Sequence, residues 1–161
     1  MEAAYTDAAG RPEPSADRIN LGGGFLGGTY PGGSTTPLTP GVYTFGSDVN
    51  LNGNVHFSGD GVYIIRITGN LKQAADFDVI LDPVTDDTAQ AKNIFWQVAG
   101  RVEVGTGAKM QGIILAKTKA DFLTGSSLVG RVLTQTACNL QSATITEPSA
   151  SVERKRGLRS M

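Results

Sequence analysis

An internal repeat in the C-terminal half constrains the fold of this chain more than any other feature of its sequence. Glycines and apolar residues recur at an interval of 18 residues. The interval aligns Gly107 with Gly125, Met110 with Leu128, Gly112 with Gly130, Val102 with Ala120 and Cys138, and Val104 with Phe122 and Leu140. Such a period indicates stacked structural units. Eighteen residues at about 3.3 Å each make a circuit of about 60 Å, which three short strands and their turns close as a triangular coil. The repeat predicts a β-solenoid.

Strand alternation assigns the repeated residues to two sides of one sheet, because successive side chains of a strand point in opposite directions. The apolar positions are expected inside the coil: Val102, Val104, Ala120, Phe122, Cys138 and Leu140. Their neighbours are expected outside: Arg101, Glu103, Lys119, Asp121, Ala137 and Asn139. The outer columns are therefore where a function of this surface would reside.

The rest of the chain favours an all-β domain. Short β-favouring runs separated by Gly, Asn or Asp occupy residues 42–45, 49–51, 55–57, 62–67 and 77–81. With 21 glycines and 18% charged residues, the composition suits many turns between short strands. Residues 2–9 have a spacing compatible with a helix, and Gly10 and Pro12 form a helix stop. We expect one domain over residues 1–148, a surface loop over 82–88 and a disordered basic tail over 149–161.

The composition argues against several kinds of partner and cofactor. A net charge of -1 gives no broad field for attracting nucleic acid or an anionic membrane. The single Cys138 and the single His56 leave no cluster of soft ligands for a transition metal. The longest aliphatic or aromatic runs are about four residues, far below the roughly 20 of a membrane-spanning helix. We expect no cofactor, no metal, no nucleic acid and no membrane partner.

Motifs that could indicate an enzyme or a ligand site have simpler explanations. The glycines of Gly22-x-Gly24-x-x-Gly27 match a dinucleotide fingerprint, but residues 29–33 are unsuited to the helix that must follow. Aspartates in residues 76–87 lack the spacing of a calcium loop. Trp96 and its neighbour Phe95 are expected to pack rather than to bind sugar. His56 has no acid near it in sequence and is expected on the surface of a strand. No catalytic residue is assigned.

Several segments, in the right order, resemble the microbial ice-binding family, whose fold is a discontinuous right-handed β-solenoid. They are NIFWQVAG at 93–100, GTGA at 105–108, GIILA at 112–116, GRVLTQTA at 130–137, PGVYTF at 40–45 and the glycines of 21–28. The last two are similar to sea-ice diatom members in particular, and the resemblance covers residues 3–147. It implies a helix packed along the solenoid, of which this chain keeps a short N-terminal remnant. Because the chain begins inside the counterpart of that helix, a strand-bearing N-terminal segment is expected to be missing and core edges to be left open.

The resemblance also implies a function. Family members are secreted and adsorb to ice through a flat solenoid face, which inhibits ice growth and recrystallisation; a monomeric, extracellular antifreeze protein is therefore expected. Several members carry a Thr-Ala/Gly-x-Thr/Asn pattern on that face, and Thr136-Ala137-Cys138-Asn139 fits it. The preceding coils offer Thr118-Lys119-Ala120-Asp121 and Gly100-Arg101-Val102-Glu103, with a partial match at Thr68-Gly69-Asn70-Leu71. The candidate ice-binding residues are Thr68, Arg101, Glu103, Thr118, Lys119, Asp121, Thr136, Ala137 and Asn139.

Two alternatives stay open at this point. The charged residues of the outer columns could form a solvated ladder of exposed pairs with no role in binding. The chain could instead be a carbohydrate-active or adhesive β-helix protein of the cell surface, for which Glu103 and Asp121 are the only stacked pair of acids. Charged side chains are strongly hydrated, so their presence on an ice-binding face predicts moderate rather than very high activity.

Overall fold

The computed structural model describes residues 15–82 and 88–148, and in these residues the chain is an all-β parallel solenoid. The strands are β1 Phe25–Leu26, β2 Gly41–Phe45, β3 Val49–Leu51, β4 Val55–Phe57, β5 Tyr63–Ile67, β6 Leu71–Gln73, β7 Val79–Leu81, β8 Ile94–Val98, β9 Val102–Val104, β10 Lys109–Ala116, β11 Lys119–Phe122, β12 Ser127–Thr134, β13 Ala137–Leu140 and β14 Thr144–Thr146. Short 3-10 turns lie at Ala16–Arg18, Leu21–Gly24 and Ala91–Asn93. The N-terminal helix, most of the 82–88 loop and the tail predicted from the sequence fall outside the described residues.

The strands form three sides of a triangular coil. The front sheet has the order β1-β3-β6-β9-β11-β13, and the second sheet has the order β14-β12-β10-β8-β5-β2. The third side contains β4 and β7, and an isolated bridge from Asp78 to Lys109 continues it onto the start of β10. Strands β10 and β12 therefore turn from the third side to the second along their own length. Since β14 pairs only with residues 127–129 at the start of β12, it lies on the third side.

The residues that the 18-residue repeat aligns lie opposite one another in the stacked strands. Met110 lies opposite Leu128 and Gly112 opposite Gly130. On the front sheet, Ala120 lies between Val102 and Cys138, and Phe122 between Val104 and Leu140. The predicted β-solenoid is thus confirmed. Two predicted strands were too long at their start, because Val62 and Phe77 are exposed residues outside the strands: β5 begins at Tyr63 and β7 at Val79.

A continuous apolar core fills the coil. Its largest fully buried side chains include Trp96, Tyr63, Phe45, Phe57 and Phe122. The Phe57 ring packs edge-on against Tyr63 and Trp96, with centroid distances of 4.9 and 5.9 Å. The Trp96 indole N–H donates to the carbonyl oxygen of Gln111 at 2.9 Å, so burial leaves no unpaired donor on this ring. The packing role predicted for Trp96 is confirmed.

A second apolar cluster lies on the outer side of the second sheet. Ile64, Ile113 and Leu115 are buried there, with Val42, Phe95 and Leu133 packed against them. Phe95 therefore packs on the outer side of the sheet, whereas Trp96 next to it points into the core.

The two ends of the described solenoid differ. At the N-terminal end the core residues Leu26 and Phe45 are completely buried. At the C-terminal end, Leu140 is 50% exposed and Ile145 is 36% exposed, and Cys138 is also exposed. Cys138 and Leu140 continue the inner columns as predicted, but no further described coil covers them. Their predicted position is correct and their expected burial is wrong.

Candidate functional site

Two columns of outward side chains run along the front sheet, and we call this surface the front face. The register places Asp48, Asn70, Arg101, Lys119 and Ala137 in one column, and Phe25, Asn50, Lys72, Glu103, Asp121 and Asn139 in the other. Neighbouring members belong to strands that are about 4.8 Å apart. The structure therefore brings together all of the predicted outer residues.

Five residues of the front face lie outside the predicted set: Phe25, Asp48, Asn50, Asn70 and Lys72. They belong to coils of irregular length, because Asn70 follows Asp48 by 22 positions and Arg101 follows Asn70 by 31. Thr118 and Gly100 are separated by the regular interval of 18 positions. That interval does not align coils of other lengths, so it does not predict these residues. The alternating pattern within β3 and β6 was the signal that could have found these residues.

The corner that leads into the front sheet carries a third column: Gly69, Gly100, Thr118 and Thr136. The Thr118 hydroxyl donates to the carbonyl oxygen of Gly100 at 2.8 Å. The backbone N–H of Thr136 donates to the carbonyl oxygen of Thr118 at 3.0 Å. These bonds hold the two threonines at a fixed position beside the face. Thr68 lies one position before this column, and its hydroxyl donates to the carbonyl oxygen of Phe45 at 3.2 Å.

Side-chain amide and carboxylate groups fix the same corner in the earlier coils. Asp48 Oδ1 accepts the backbone N–H of Asn70 at 2.8 Å, and Asn70 Oδ1 accepts the backbone N–H of Arg101 at 2.9 Å. A Cβ at Gly69 or Gly100 would overlap these two acceptor oxygens. Glycine is therefore required in the third column where Asp48 or Asn70 acts as an acceptor. In the coils without such an acceptor, threonine occupies this position.

The charges of the front face neutralise one another. Glu103 lies 3.5 Å from the Arg101 guanidinium and 3.8 Å from the Lys72 ammonium group. Lys119 Nζ lies 3.2 Å from the Asp121 carboxylate, which also accepts a 2.7 Å hydrogen bond from the Asn139 side-chain amide. Pairing restrains these side chains against the sheet, since each partner fixes the other. The predicted ladder of charged pairs is present.

The hydrogen bond from Asn139 lowers the pKa of Asp121 below its ordinary value of 3.8, and Lys119 and Arg101 lower it further against the opposing effect of burial. A carboxylate with a depressed pKa contributes stability above its unfolded-state pKa and loses it as the pH falls through the folded-state pKa. Asp121→Asn should therefore lower the melting temperature at neutral pH, by the equivalent of less than about 1 kcal/mol. The difference from the wild type should vanish once the pH falls below the lowered folded-state pKa of Asp121.

Thermal melts at several pH values would measure this effect. The matched control is Asp60→Asn, since Asp60 is exposed away from the front face and accepts a hydrogen bond from Gln90 that an asparagine can retain. A difference between Asp121→Asn and the wild type that persists unchanged into acid would contradict the predicted role of the carboxylate.

One interaction was not foreseen from the sequence. His56, expected to have no acid nearby, has its Nδ1 atom 2.6 Å from the Asp82 carboxylate on the third side. The two residues are 26 positions apart and meet because β4 pairs with β7. Within residues 15–82 and 88–148, no group of three or more His, Cys, Asp or Glu side chains is arranged to hold a metal ion. No helix among the described residues is long and apolar enough to cross a membrane.

Comparison with known proteins agrees with this geometry. A family model described as ice-binding-like matches residues 1–146. An ice-binding protein of Colwellia sp is 46% identical over 155 residues, which cover 95% of this chain and 56% of the relative. One from Flavobacterium frigoris is 39% identical over 150 residues, covering 92% of this chain and 50% of the relative. These relatives are named as ice-binding proteins, in agreement with the expectation that the chain is not an enzyme.

Solved structures show the same similarity. An ice-binding protein from an Arctic yeast, described as having antifreeze activity, matches with a TM-score of 0.81 and 37% identity, covering 94% of this chain and 61% of that structure. An ice-binding domain from Shewanella frigidimarina matches with a TM-score of 0.72 and 29% identity, covering 91% of this chain and 59% of that structure. The chain spans about half the length of its curated relatives. The expected similarity to sea-ice diatom members stays a prediction. The chain belongs to the ice-binding-like family.

Proposed function

We propose that this protein adsorbs to ice through the front face and inhibits ice growth and recrystallisation. The observation that carries the proposal is the regular array itself: outward side chains repeat along a rigid stack of parallel strands about 4.8 Å apart. Such an array can order water at a fixed spacing before contact with the crystal. Water ordered in advance lowers the entropic cost of adsorption, as preorganisation does for other ligands. Ice growth is then blocked between adsorbed molecules.

The part of the front face that best suits ice is its C-terminal end. Thr136, Ala137 and Asn139 present a hydroxyl, a methyl and an amide group, with no charge among them. The coil before it adds Thr118 together with the Lys119–Asp121 ion pair. Arg101, Glu103 and Lys72 follow further along the stack. We assign the main contact to Thr136, Ala137, Asn139 and Thr118, with Arg101, Glu103, Lys119 and Asp121 at its charged side and Thr68 at its margin.

Ion pairing determines how the charged residues affect this surface. A free lysine or arginine carries a mobile, strongly hydrated head group. Side chains held in pairs sample fewer conformations and disturb an ordered water layer less. The pairs nevertheless retain hydration that ice must displace, so the proposed activity is moderate. Adsorption of this kind needs one copy of the face, and the monomer expected from the sequence is sufficient for it. We further propose that the protein acts outside the cell.

The carbohydrate-active alternative is less well supported by the same contacts. Glycoside hydrolysis needs two carboxyl groups that flank a bound sugar, one of them a proton donor. Glu103 and Asp121 are both paired with cations, and the pKa of Asp121 is lowered rather than raised. With its lowered pKa, Asp121 is not placed to act as the proton donor that this reaction needs.

Ice growth in a freezing droplet tests the proposal directly. We expect faceted, shaped crystals, thermal hysteresis and inhibition of recrystallisation at micromolar protein. Unshaped ice with no inhibition of recrystallisation would refute the proposed function.

Removing one ion pair should raise the activity. The double substitution Lys119→Ala with Asp121→Asn converts Thr118-Lys119-Ala120-Asp121 to the uncharged pattern of the next coil. We expect recrystallisation inhibition at a severalfold lower concentration, because two hydrated groups are lost from the face while the partly exposed pair contributes only about 1 kcal/mol to stability. The matched control is Arg131→Ala with Glu147→Gln, which removes an exposed ion pair away from the front face. If the first pair of substitutions lowers activity in a folded protein, the charged residues themselves contact ice.

A further inference from the structure

A polar depression lies at the corner between the front sheet and the third side. Its volume is about 410 Å³, within the range of about 300–1,000 Å³ that is typical of small-ligand pockets. Three successive coils contribute to it, through the segments that follow β1, β3 and β6. The side chains that line it are Thr29, Ser34, Asn52, Asn54, His56 and Phe77. The proposed function uses none of them.

Backbone hydrogen bonds fix the chain around this depression. The N–H of Gly28 donates to the carbonyl oxygen of Asn54 at 3.0 Å, and the N–H of His56 donates to the carbonyl oxygen of Gly32 at 2.7 Å. These bonds hold the loop of residues 27–34 against the start of β4. A ligand therefore meets a surface that is already ordered, which lowers the entropic cost of binding.

His56 contributes a hydrogen-bond acceptor of defined position. Its Nδ1 atom lies 2.6 Å from the Asp82 carboxylate, so the neutral ring carries its proton on Nδ1. Nε2 then has a free lone pair, which can accept a hydroxyl group of a ligand. The carboxylate thus fixes both the orientation of the ring and the nitrogen that is left to bind.

The other polar side chains add groups that donate and accept hydrogen bonds. Asn54 Oδ1 accepts the backbone N–H of Asp78 at 2.9 Å, so its NH2 group is the part of this amide that can donate to a ligand. Asn52 carries a second, exposed amide, and Thr29 and Ser34 carry exposed hydroxyl groups. Such groups suit a ligand with several hydroxyl groups.

Charge and polarity narrow the class of ligand. Among the described residues that line the depression, none has a lysine, arginine or carboxylate side chain. An anion would meet no cation other than a protonated His56, which Asp82 already neutralises. An apolar ligand would leave the amide and hydroxyl groups without partners. A neutral, polyhydroxylated ligand avoids both costs.

Phe77 supplies the apolar part of the depression. Its ring is 38% exposed, and its backbone carbonyl oxygen is held at 2.9 Å by the side-chain amide of buried Gln73. The C–H groups on one face of a pyranose ring can pack on an aromatic ring while the hydroxyl groups at the edge make hydrogen bonds. An aromatic ring beside amide, hydroxyl and imidazole groups is therefore suited to a sugar.

We propose that this depression binds a neutral saccharide of one or two pyranose units. Phe77 packs on a sugar ring, His56 Nε2 accepts a sugar hydroxyl group, and the amide of Asn54 donates to another. The depression is suited to binding rather than to hydrolysis, because no pair of carboxyl groups lines it among the described residues. The site lies outside the ice contact assigned to Thr136 and its neighbours, so its occupancy does not depend on the proposed function.

Titration followed by nitrogen-15 NMR tests the binding. The probes are cellobiose, mannobiose and lactose, which differ in the orientation of the hydroxyl groups at C2 and C4. We expect at least one of them to shift the backbone amide signals of Ser34, Asn54 and Phe77 saturably, with a Kd of about 1 mM. Inorganic phosphate in the same assay should bind more weakly than that sugar.

The ring of His56 gives a second readout. His56 is the only histidine of the chain, so its ring signals need no assignment. Its nitrogen-15 spectrum should show the neutral ring protonated on Nδ1, and the bound sugar should shift the Nε2 signal. An Nε2 signal that stays unchanged at saturation would contradict the role of this residue.

Two exposed positions allow variants that keep the fold. Phe77→Ala should weaken sugar binding about tenfold and Ser34→Ala about threefold. Their matched controls are Val62→Ala and Ser47→Ala, which shorten exposed side chains that do not line the depression. Both controls should bind like the wild type, and thermal melts show that each variant is folded.

The same titrations define the results that would overturn the proposal. It fails if none of the three sugars gives saturable shifts at up to about 50 mM, or if phosphate binds more tightly than all of them. Binding that survives both Phe77→Ala and Ser34→Ala unchanged places the sugar elsewhere and also overturns it. Ice shaping has no part in these measurements, so a failure here leaves the proposed function standing.

Discussion

Alanine in place of Gly112 is expected to lower the free energy of unfolding by about 3 kcal/mol. Gly112 has a φ of +119°, a conformation that side chains with a Cβ rarely adopt. A Cβ would also lie 2.9 Å from the carbonyl oxygen of Ile94 and 2.9 Å from Trp96 Nε1. The first is backbone of the neighbouring coil and the second belongs to a fully buried ring. The coil must therefore shift or the indole must lose its hydrogen bond to Gln111.

Thermal or urea unfolding followed by circular dichroism measures this effect, and for a chain of this length the melting temperature should fall by about 6–12 °C. The matched control is Gly46→Ala. Gly46 is exposed, it has no positive φ, and the nearest atom to its added Cβ is Asn20 Oδ1 at 3.7 Å. Its melting temperature should stay within about 2 °C of the wild type. Equal behaviour of the two variants would show that the bend in β10 tolerates a side chain.

Tyrosine in place of Thr136 is expected to abolish most of the ice-binding activity while leaving the protein folded. Thr136 is exposed at the edge of the front face, so a larger side chain meets no core residue. A phenol ring there rises above the neighbouring Ala137 and holds the flat surface away from the crystal. A tenfold higher protein concentration for equal inhibition of recrystallisation would correspond to about 1.4 kcal/mol of lost adsorption free energy.

The control for this substitution is Thr144→Tyr, on β14 and outside the front face. Thr144 is also exposed, so both variants add the same apolar surface and differ in which side of the solenoid carries it. Thermal hysteresis and recrystallisation assays on both proteins, with melts to confirm folding, decide the result. If Thr136→Tyr keeps full activity and Thr144→Tyr loses it, the third side rather than the front sheet contacts ice.

The repeat in the C-terminal half determined a large part of this fold. Its interval of 18 positions, which separates Asp121 from Asn139, specifies the length of a coil, and its alternating apolar pattern specifies the direction of each side chain. Both follow from strand geometry. The inner column of Val102 and Ala120 and the outer column of Arg101 and Lys119 occupy their predicted sides for this reason. The same interval and alternation also predicted the ladder of charged pairs that includes Asp121.

The interval of 18 positions does not predict the coils of irregular length. The offsets of 22 and 31 positions that separate Asp48, Asn70 and Arg101 depend on how much chain each corner holds, and corner length leaves no period to detect. Asn50 and Lys72 therefore joined the front face only in the structure. The contact between His56 and Asp82 has the same origin, because it depends on the pairing of β4 with β7.

Some features of this protein thus depend on the local sequence pattern, and others depend on how distant segments stack. The sequence by itself determined most of the strands, the repeating coils, the inward and outward columns of the C-terminal half and the pattern at Thr136–Asn139, because these depend on neighbours along the chain. Only the tertiary structure decided that Leu140 and Ile145 are exposed, that Lys72 shares Glu103 with Arg101, and that Asn139 binds Asp121. Burial and pairing depend on which coil lies above and below. That relation is set by the stacking of the whole chain rather than by any one segment of it.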